Sequence, residues 1–273
     1  MKITDYNKVQ AFKSGNVFLI DGPDGTKSIN ADDVFFALLD AFSPPEHHRN
    51  IFRGKNLGGS VTAEQKSAIQ NGSFKGLFVG DYWVIGGVNW RIADMDYFYR
   101  CGDSDFTRHH LVIAPDSALY NAQMNTENIT TGGYMGSKMY TENLANAKST
   151  ISSAFGELVL THRDYFVNAV IDGRPSAGVW TDSTVELMNE IMVYGGHVYA
   201  PMNDGVAIPN KYTPAKQQLA LFALDPKMVN RRYTYWLRDV VSAAAFAFVS
   251  YLGYAGYYYA STSYGVRPYF IIG

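Results

Sequence analysis

The chain has 273 residues, a formal net charge of −2 and 47% hydrophobic residues. A chain of this length buries roughly three quarters of its unfolded surface, which predicts one large domain or a domain with a smaller arm. The ordinary apolar content and low net charge exclude intrinsic disorder and argue against nucleic acid as the main partner. Tyrosine is unusually frequent, with 20 residues against 16 Phe and 4 Trp.

Targeting and redox signals are few. Residues 1–6 lack the basic head and apolar run of a secretory signal, so we expect synthesis in a cytoplasm without export. The longest apolar stretch, 240–252, is broken by Ser242 and Ser250 and is too short for a membrane span. Cys101 is the single cysteine, which excludes an internal disulfide and a zinc knuckle.

Residues 1–50 predict a small N-terminal arm before a domain over 51–273. Asn30 predicts a helix N-cap, because its side-chain oxygen can accept a hydrogen bond from the first turn. Prolines 44 and 45 predict the end of that helix. In chain order we expect a strand over 16–20, a turn over 21–25, a helix over 31–42 and a polar linker over 46–50.

The predicted domain mixes the two hydrophobic periods, which indicates the α+β class. Thr62 predicts a helix cap, and Gly86-Gly87 predicts a two-residue hairpin turn. The predicted elements are a helix over 63–69, strands over 82–85, 88–92 and 109–114, helices over 137–155 and 183–194, and strands within 235–273. In the second of those two helices one face collects Val185, Met188, Ile191 and Met192.

Two groups of residues resemble binding motifs only superficially. Residues 22–28 have two residues between their glycines instead of the four of a phosphate-binding loop, so a structural turn is expected. Adjacent histidines on a strand point to opposite faces and cannot chelate one metal alone. We therefore expect no metal and no cofactor at the histidines, which are His47, His48, His109, His110, His162 and His197.

No motif for catalysis is present. Residues 94–96 and 103–105 are acidic, but they lack the glycine and distant glutamate of a helix-loop-helix calcium site, so solvated loops are expected. Residues 161–164 hold acid–base groups without a nucleophile motif, and no nucleophile elbow occurs. We expect a protein that is not an enzyme. A cell-wall glycosidase would need a paired-carboxylate cleft, which no sequence pattern locates.

Residues 251–264 hold six tyrosines among Gly, Ala, Ser and Thr. Tyrosine supplies rigid amphipathic contact area and small residues let the backbone adapt, a combination typical of binding loops. Alternatives are a β-rich packing segment and a Tyr-rich oligomer interface. The predicted ligand-binding residues are Tyr251, Tyr254, Tyr257, Tyr258, Tyr259, Ser261, Ser263 and Tyr264.

Residues 235–238 (Tyr-Trp-Leu-Arg) and 265–270 (Gly-Val-Arg-Pro-Tyr-Phe) resemble the closing core of C-type-lectin-like domains. The nearest variant is that of phage structural proteins related to phage tropism determinants and formylglycine-generating enzymes. Residues 52–58, 80–83, 128–134 and 182–189 also resemble uncharacterised proteins of tailed phages of gut bacteria. The structural motif residues are Trp236, Leu237, Arg238, Gly265, Val266, Arg267 and Pro268.

The resemblance implies a mixed, mostly antiparallel sheet with two packed helices and long irregular loops. The two motif strands would form the core sheet, and the residues between them would line an exposed binding face. Arg238 and Arg267 would be structural, with hydrogen bonds to loop carbonyls. The enzyme relatives use a cysteine pair or a metal held by one, and calcium lectins carry Glu-Pro-Asn or Gln-Pro-Asp loops, none of which occurs here.

The implied function is a phage virion protein that displays the Tyr-rich face for receptor binding and host adsorption. Its partners would be a host cell-surface glycan or protein and other virion subunits, in a homo-oligomer that a trimer would suit. The alternative is a capsid or tail decoration protein whose Tyr-rich segment is a subunit interface. In tropism determinants a retroelement diversifies this region, so the resemblance also implies hypervariable residues within 250–264.

Overall fold

The computed structural model describes residue 15 and residues 17–22, 25–167, 170–171, 174–175, 178–200 and 217–273. Over these residues the chain forms two five-stranded sheets, three two-stranded ribbons and short or medium helices. The predicted α+β class is confirmed. Within the same ranges, no helix is both long and apolar enough to cross a membrane.

The described strands, in chain order, are β1 (Val17–Gly22), β2 (Gly25–Asn30), β3 (Tyr82–Ile85), β4 (Val88–Met95), β5 (Leu111–Pro115), β6 (Tyr120–Gln123), β7 (His162–Val167), β8 (Val170–Ile171), β9 (Arg174–Pro175), β10 (Gly178–Ser183), β11 (Val185–Leu187), β12 (Tyr235–Val240), β13 (Ala245–Val249), β14 (Ala255–Tyr259), β15 (Ser263–Val266) and β16 (Pro268–Ile272). The described α-helices are α1 (Ala31–Phe42), α2 (Pro45–His48), α3 (Ala63–Gln70), α4 (Leu144–Phe155), α5 (Glu190–Tyr194) and α6 (Ala220–Leu224). A π-helical turn, Met139–Asn143, precedes α4, and 3-10 turns cover Gly156–Leu158 and Pro226–Met228.

Elements with a strong local signal form where the sequence predicts them. The Asn30 side chain accepts a hydrogen bond from the Asp32 amide at 2.9 Å and begins α1. Thr62 and Gln65 form a reciprocal capping box at the start of α3. The strand predicted over 16–20 is β1, and residues 16, 23 and 24 of the predicted strand and turn lie outside the described residues. The Gly86-Gly87 hairpin is confirmed, with φ of 60° and 77° at the two glycines.

The helix predicted over 183–194 is wrong for most of its length. Val185, expected on a helix face, belongs to β11 and pairs with Phe270 of β16. Only α5 is helical, and it begins where the Asn189 side chain accepts a hydrogen bond from the Met192 amide at 2.7 Å. Pairing with a strand at the far end of the chain therefore outweighs the local helical spacing.

Residues 46–50 do not form a polar linker. The His48 ring is buried and stacks on Phe78 with ring centroids 4.4 Å apart. Arg49 forms an ion pair of 2.5 Å with the fully buried carboxylate of Asp94. The segment is therefore held against the strands by packing and by charge, which the polar composition of the segment does not indicate.

The two large sheets are mostly antiparallel, as expected. The first has the order β11-β16-β5-β4-β3, and the second has the order β14-β13-β12-β15-β6. In the second sheet β12 and β15 run parallel, with Tyr235 opposite Gly265. The first sequence motif and the start of the second, Gly265 and Val266, therefore lie on neighbouring strands, whereas Pro268 and the residues after it belong to β16 of the first sheet. The Tyr-rich segment between the motifs includes β14, which forms the edge of the second sheet.

Alternating residues of both sheets enter two hydrophobic clusters. Trp236 and Phe270 belong to the first cluster, which α4 covers with Ile151 and Phe155. The second cluster contains side chains of the opposite strand faces and of α5 and α6, among them Leu237, Ile271, Met192 and Leu221. Because the strands pack on both sides, the central strands are rigid supports for the edge at β14.

Candidate ligand-binding surface

Strand β14 is an edge strand that carries three adjacent tyrosines. Tyr257, Tyr258 and Tyr259 are exposed by 51, 47 and 54%. Tyr258 lies opposite Phe246 of β13, and the other two lie opposite alanines of that strand. Since opposite residues of an antiparallel pair point to the same side, Tyr258 faces one side of the sheet and its two neighbours face the other.

The side that Tyr258 faces carries a group of aromatic rings, which we call the aromatic face: Phe248, Tyr254, Tyr258 and Tyr264. The ring centroids of Tyr258 and Tyr264 are 6.2 Å apart, and those of Phe248 and Tyr264 are 5.3 Å apart. Beneath them lies the fully buried Trp236, 4.8 Å from Tyr264. Ring pairs at these separations attract beyond simple burial. The face is therefore preformed.

Gly256 makes room for the ring of Phe248. A Cβ atom at Gly256 would lie 2.5 Å from the Phe248 Cζ atom, closer than any real contact. The missing side chain lets the phenyl ring lie against β14, between the positions of Tyr254 and Tyr258. This close approach explains why a glycine interrupts the tyrosines at this position.

The aromatic face is uncharged. No acidic or basic residue occurs between Ser250 and Val266. Burial, with smaller effects of the Tyr258 and Tyr254 phenols, raises the pKa of Tyr264 above its usual value of 10.0. Its hydroxyl stays protonated at neutral pH and can both donate and accept hydrogen bonds. The surface can therefore combine apolar stacking with neutral hydrogen bonding.

The opposite side of β14 has a second aromatic contact that the sequence analysis missed. Tyr257 packs edge-on against Tyr199 with ring centroids 5.1 Å apart. The backbone amides of residues 198–200 donate to the carboxylate of buried Glu190 at 2.9 to 3.2 Å, which holds Tyr199 in place. No periodicity or spacing links Tyr199 to the C-terminal tyrosines, because the contact exists only in the folded chain.

The two predicted serines have different surroundings. The Asn128 side-chain oxygen accepts hydrogen bonds from the amide and the hydroxyl of Ser261, at 3.1 and 2.7 Å. Ser263 is exposed and pairs with Gln123 of β6. Ser261 therefore anchors the turn before β15, and its hydroxyl is already engaged with the protein.

The eight predicted residues thus do not lie on one surface. The aromatic face brings together Tyr254, Tyr258 and Tyr264, and it includes Phe248, which the prediction omitted. Tyr257 and Tyr259 alternate with Tyr258 along β14. The Tyr259 ring still contacts the Tyr258 ring edge-on, with centroids 5.5 Å apart, whereas the Tyr257 ring packs on Tyr199 away from the aromatic face. Tyr251 is exposed in the turn between β13 and β14.

Of the two motif arginines, Arg267 hydrogen-bonds to main-chain carbonyls, one at the end of β5 and one in the 3-10 turn Pro226–Met228 rather than in loops. Its guanidinium donates to the carbonyl oxygens of Pro115 at 2.9 Å and Met228 at 3.1 Å. Arg238 instead donates to the carboxylate of buried Asp164 at 2.7 Å and to the Tyr269 hydroxyl at 3.2 Å. The expectation for Arg238 omitted this buried ion pair.

Other chemistry-bearing residues have structural partners. The expectation of solvated acidic loops is wrong for Asp94, which is fully buried beside Arg49. Asp96 contacts the His109 ring at 2.7 Å, and Asp103 pairs with Arg163 at 2.7 Å. No group of three or more metal-ligating side chains occurs within the residues that the structure describes.

Comparison of the chain with protein-family models, curated proteins and solved structures finds no match. Any function must therefore be argued from the residues and their geometry. The exposed, preformed and uncharged aromatic face is the feature that most closely resembles a binding site.

Proposed function

We propose that this chain is a phage virion protein with a C-type-lectin-like C-terminal domain, which adsorbs to the host surface through the aromatic face and performs no catalysis. The aromatic face carries this proposal: the Tyr254 and Tyr258 side chains are exposed, and Phe248 and Tyr264 are half-buried beside them. Large apolar side chains exposed together on one surface often mark an interaction site.

The arrangement of the two motif strands supports the proposed fold. Trp236 and Arg238 belong to β12, and Val266 belongs to β15, which is the neighbour of β12 in the second sheet. The chain between them turns outward to form β13, the Tyr-rich β14 and the turn before β15. A core sheet with an exposed segment between its two motif strands is what the resemblance implies.

The chemistry of the face favours a neutral ligand with both flat apolar and hydroxyl surfaces. Tyrosine rings stack on the C–H faces of sugars, and their hydroxyls hydrogen-bond at the edges. A surface glycan of the host fits this description, and a protein receptor with exposed apolar side chains fits it as well. Periodate treatment of cells, which destroys sugars, and protease treatment distinguish these two ligands.

We expect the Tyr258→Ala variant to lose host binding and the Tyr257→Ala variant to keep it. The two residues are adjacent on β14 and similarly exposed, but the Tyr257 ring packs on Tyr199 and only Tyr258 belongs to the aromatic face. Loss of an aromatic anchor costs about 2 kcal/mol or more, a roughly thirtyfold loss of affinity. The measurement is binding of fluorescently labelled protein to a panel of gut bacterial strains.

Thermal unfolding is the control for folding, because both variants should unfold over the same temperature range as the native protein. Native protein that binds none of the strains, or a Tyr258→Ala variant that binds as well as the Tyr257→Ala variant, contradicts the proposal. Equal loss in both variants would show that the ligand spans the edge strand, which also contradicts the one-sided aromatic face.

The position of β14 at the sheet edge favours a second candidate, a subunit interface in a decorated capsid or tail. Among the described residues β14 has a partner strand on one side alone, and an unpaired edge is a template for another chain. Particles with Ala at positions 257, 258 and 259 distinguish the candidates. Normal incorporation with poor adsorption supports display, and failed incorporation supports the interface.

We expect natural variation to concentrate at the exposed positions of β14 and its turns. The side chains of Tyr251, Tyr254 and Tyr258 are exposed, whereas Ala255 and Ala260 of the same segment are buried. Exposed positions can change without creating cavities or clashes in the core. Sequencing the locus in related phage isolates tests this: substitutions scattered elsewhere, with residues 250–264 uniform, would count against diversification.

A further inference from the structure

Helix α1 is apolar on two sides, which is unusual for a helix at a protein surface. Its inner side packs on the protein: the Phe36 ring lies 5.5 Å from Phe78, and the Asp40 carboxylate accepts a hydrogen bond from the Gly76 amide. These contacts account for one side of the helix and leave a second side to be explained.

The second side, which we call the outer face of α1, consists of Phe35, Leu38 and Phe42. These side chains are exposed by 56, 52 and 82%. Their spacing of three and then four residues places them in one stripe along the helix, the spacing of a coiled-coil seam. Beside the start of α1, where Val17 pairs with Asn30, the hairpin also exposes Val17 and Leu19 by 61 and 70% on one side of β1.

The exposed apolar area approaches what a dimer needs. A large apolar side chain offers about 150–250 Å² of surface when it is fully exposed. Each of these five residues is at least half exposed, so together they present on the order of 500 Å² of apolar surface. Two such faces bury on the order of 1,000 Å², the lower limit for a specific interface. We therefore expect a dimer that dissociates at low concentration.

Charge favours an antiparallel direction for a helix pair and disfavours an anionic membrane as the occupant. Helix α1 carries Asp32 and Asp33 in its first turn and has no basic residue in its last. A parallel pair would place these carboxylates beside their copies, whereas an antiparallel pair separates them and also aligns the helix dipoles favourably. The same acidic residues would be repelled by an anionic membrane surface.

We propose that the outer face of α1 binds the same face of a second copy of this chain, in an antiparallel pair about a two-fold axis near Leu38. Phe35 of one copy then lies near Phe42 of the other. This interface is separate from the aromatic face at β14, and it would present two aromatic faces on one dimer. Two linked weak sites bind a repetitive surface far more tightly than one.

Sedimentation velocity over a range of concentrations tests the proposal with two neighbouring substitutions. We expect the native chain to become dimeric as its concentration rises, and the Leu38→Glu variant to remain monomeric, because it buries a charge in the seam. The Ala37→Glu variant introduces the same charge on an exposed position outside the stripe and should dimerise like the native chain.

A native chain that stays monomeric overturns the proposal and leaves the outer face to another occupant. A trimer overturns the two-fold arrangement. Equal dimerisation of the Leu38→Glu and native chains shows that the interface lies elsewhere, which also overturns it. Binding of labelled monomeric Leu38→Glu protein to cells still tests the aromatic face, so failure of one proposal is distinguishable from failure of the other.

Disulfide formation tests the direction of the pair. Mixing the Phe35→Cys and Phe42→Cys variants under oxidising conditions should yield a cross-linked heterodimer, because a disulfide requires Cα atoms within about 7 Å. Each variant alone should cross-link poorly, and the native Cys101 is buried. Efficient cross-linking of Phe35→Cys with itself indicates a parallel pair and overturns the antiparallel arrangement.

Discussion

Replacement of Arg238 by Met is expected to lower the free energy of unfolding by roughly 3–5 kcal/mol, the cost of leaving a buried charge without its partner. Arg238 is 6% exposed, and its guanidinium lies 2.7 Å from the carboxylate of Asp164, which is fully buried. The same guanidinium lies over the Phe166 ring at 4.6 Å. Equilibrium urea unfolding measures the loss.

The adjacent ion pair of Arg163 is a matched control. Arg163 contacts Asp103 and Asp182 at 2.7 and 3.0 Å, but those two carboxylates are 44 and 70% exposed. Water screens such pairs, so we expect Arg163→Met to cost less than about 1 kcal/mol. A similar loss in both variants would contradict the role of burial.

A double substitution isolates the charge from the packing. Adding Asp164→Asn to Arg238→Met removes the charge that the single variant leaves unpaired, so about 1–2 kcal/mol should return. The hydroxyl of Tyr269, which donates to Asp164 at 2.8 Å, keeps an oxygen acceptor in the double variant. A double variant no more stable than Arg238→Met would show that lost packing, not charge, explains the result.

Replacement of His162 by Leu is expected to raise the free energy of unfolding at pH 4. The same change at His110 is expected to lower the free energy of unfolding at pH 7.5. Burial lowers the pKa of both rings from 6.5 to about 4. Neither ring nitrogen of His162 has a hydrogen-bond partner within the described part of the chain. The His110 Nε2 atom accepts the Phe98 amide at 3.0 Å.

The sign of the pH effect follows from which state takes up protons first. As the pH falls below 6.5, each histidine is protonated in the unfolded chain but stays neutral in the folded one. The native chain therefore loses stability down to a pH of about 4, by roughly 3 kcal/mol for each ring. The His162→Leu variant avoids one such loss, so its advantage over the native chain should grow by that amount.

Unfolding in urea at pH 7.5 and at pH 4 measures both effects, and comparison with the native chain cancels the other titrating groups. At pH 7.5 we expect the His110→Leu variant to lose about 1–3 kcal/mol, because the buried Phe98 amide loses its acceptor. At that pH the His162→Leu variant should be as stable as the native chain or more so. A pH-independent difference for His162→Leu would sink the assignment of a buried neutral ring.

Elements with local physical causes are the ones that the sequence predicts well. Asn30 and Thr62 cap their helices through groups two or three residues away. Gly86 and Gly87 adopt positive φ for a tight turn that side chains disfavour. None of these features depends on the rest of the molecule, so propensity and turn chemistry suffice to place them.

The helix predicted over 183–194 shows where such reasoning fails. Val185, Met188 and Met192 have helical spacing, but Val185 is part of a strand that pairs with β16. The capping residue Asn189 and the left-handed Gly195, with φ of 82°, mark the true limits of the short helix α5. Both signals are visible in the sequence. They locate the helix better than the hydrophobic spacing does, because a strand as short as β11 can fit the same spacing.

The candidate site likewise has some features that the sequence predicts and others that only the folded chain creates. The sequence places six of the 20 tyrosines within residues 251–264. Strand alternation then predicts that neighbouring tyrosines leave the strand on opposite sides. The partners that turn some of them into a surface come from elsewhere: Trp236 and Phe248 beneath Tyr264, Asn128 at Ser261, and Tyr199 against Tyr257. These contacts join distant parts of the chain, so no local pattern encodes them.

The tyrosine excess, the lack of charge between residues 250 and 266 and the caps of α1 and α3 follow from the order of the amino acids. The aromatic face, the buried pair of Arg238 and Asp164 and the exposed stripe on α1 arise when the chain folds. Short-range hydrogen bonds and turn geometry act between neighbours in sequence, whereas burial depends on which surfaces the folded chain removes from water.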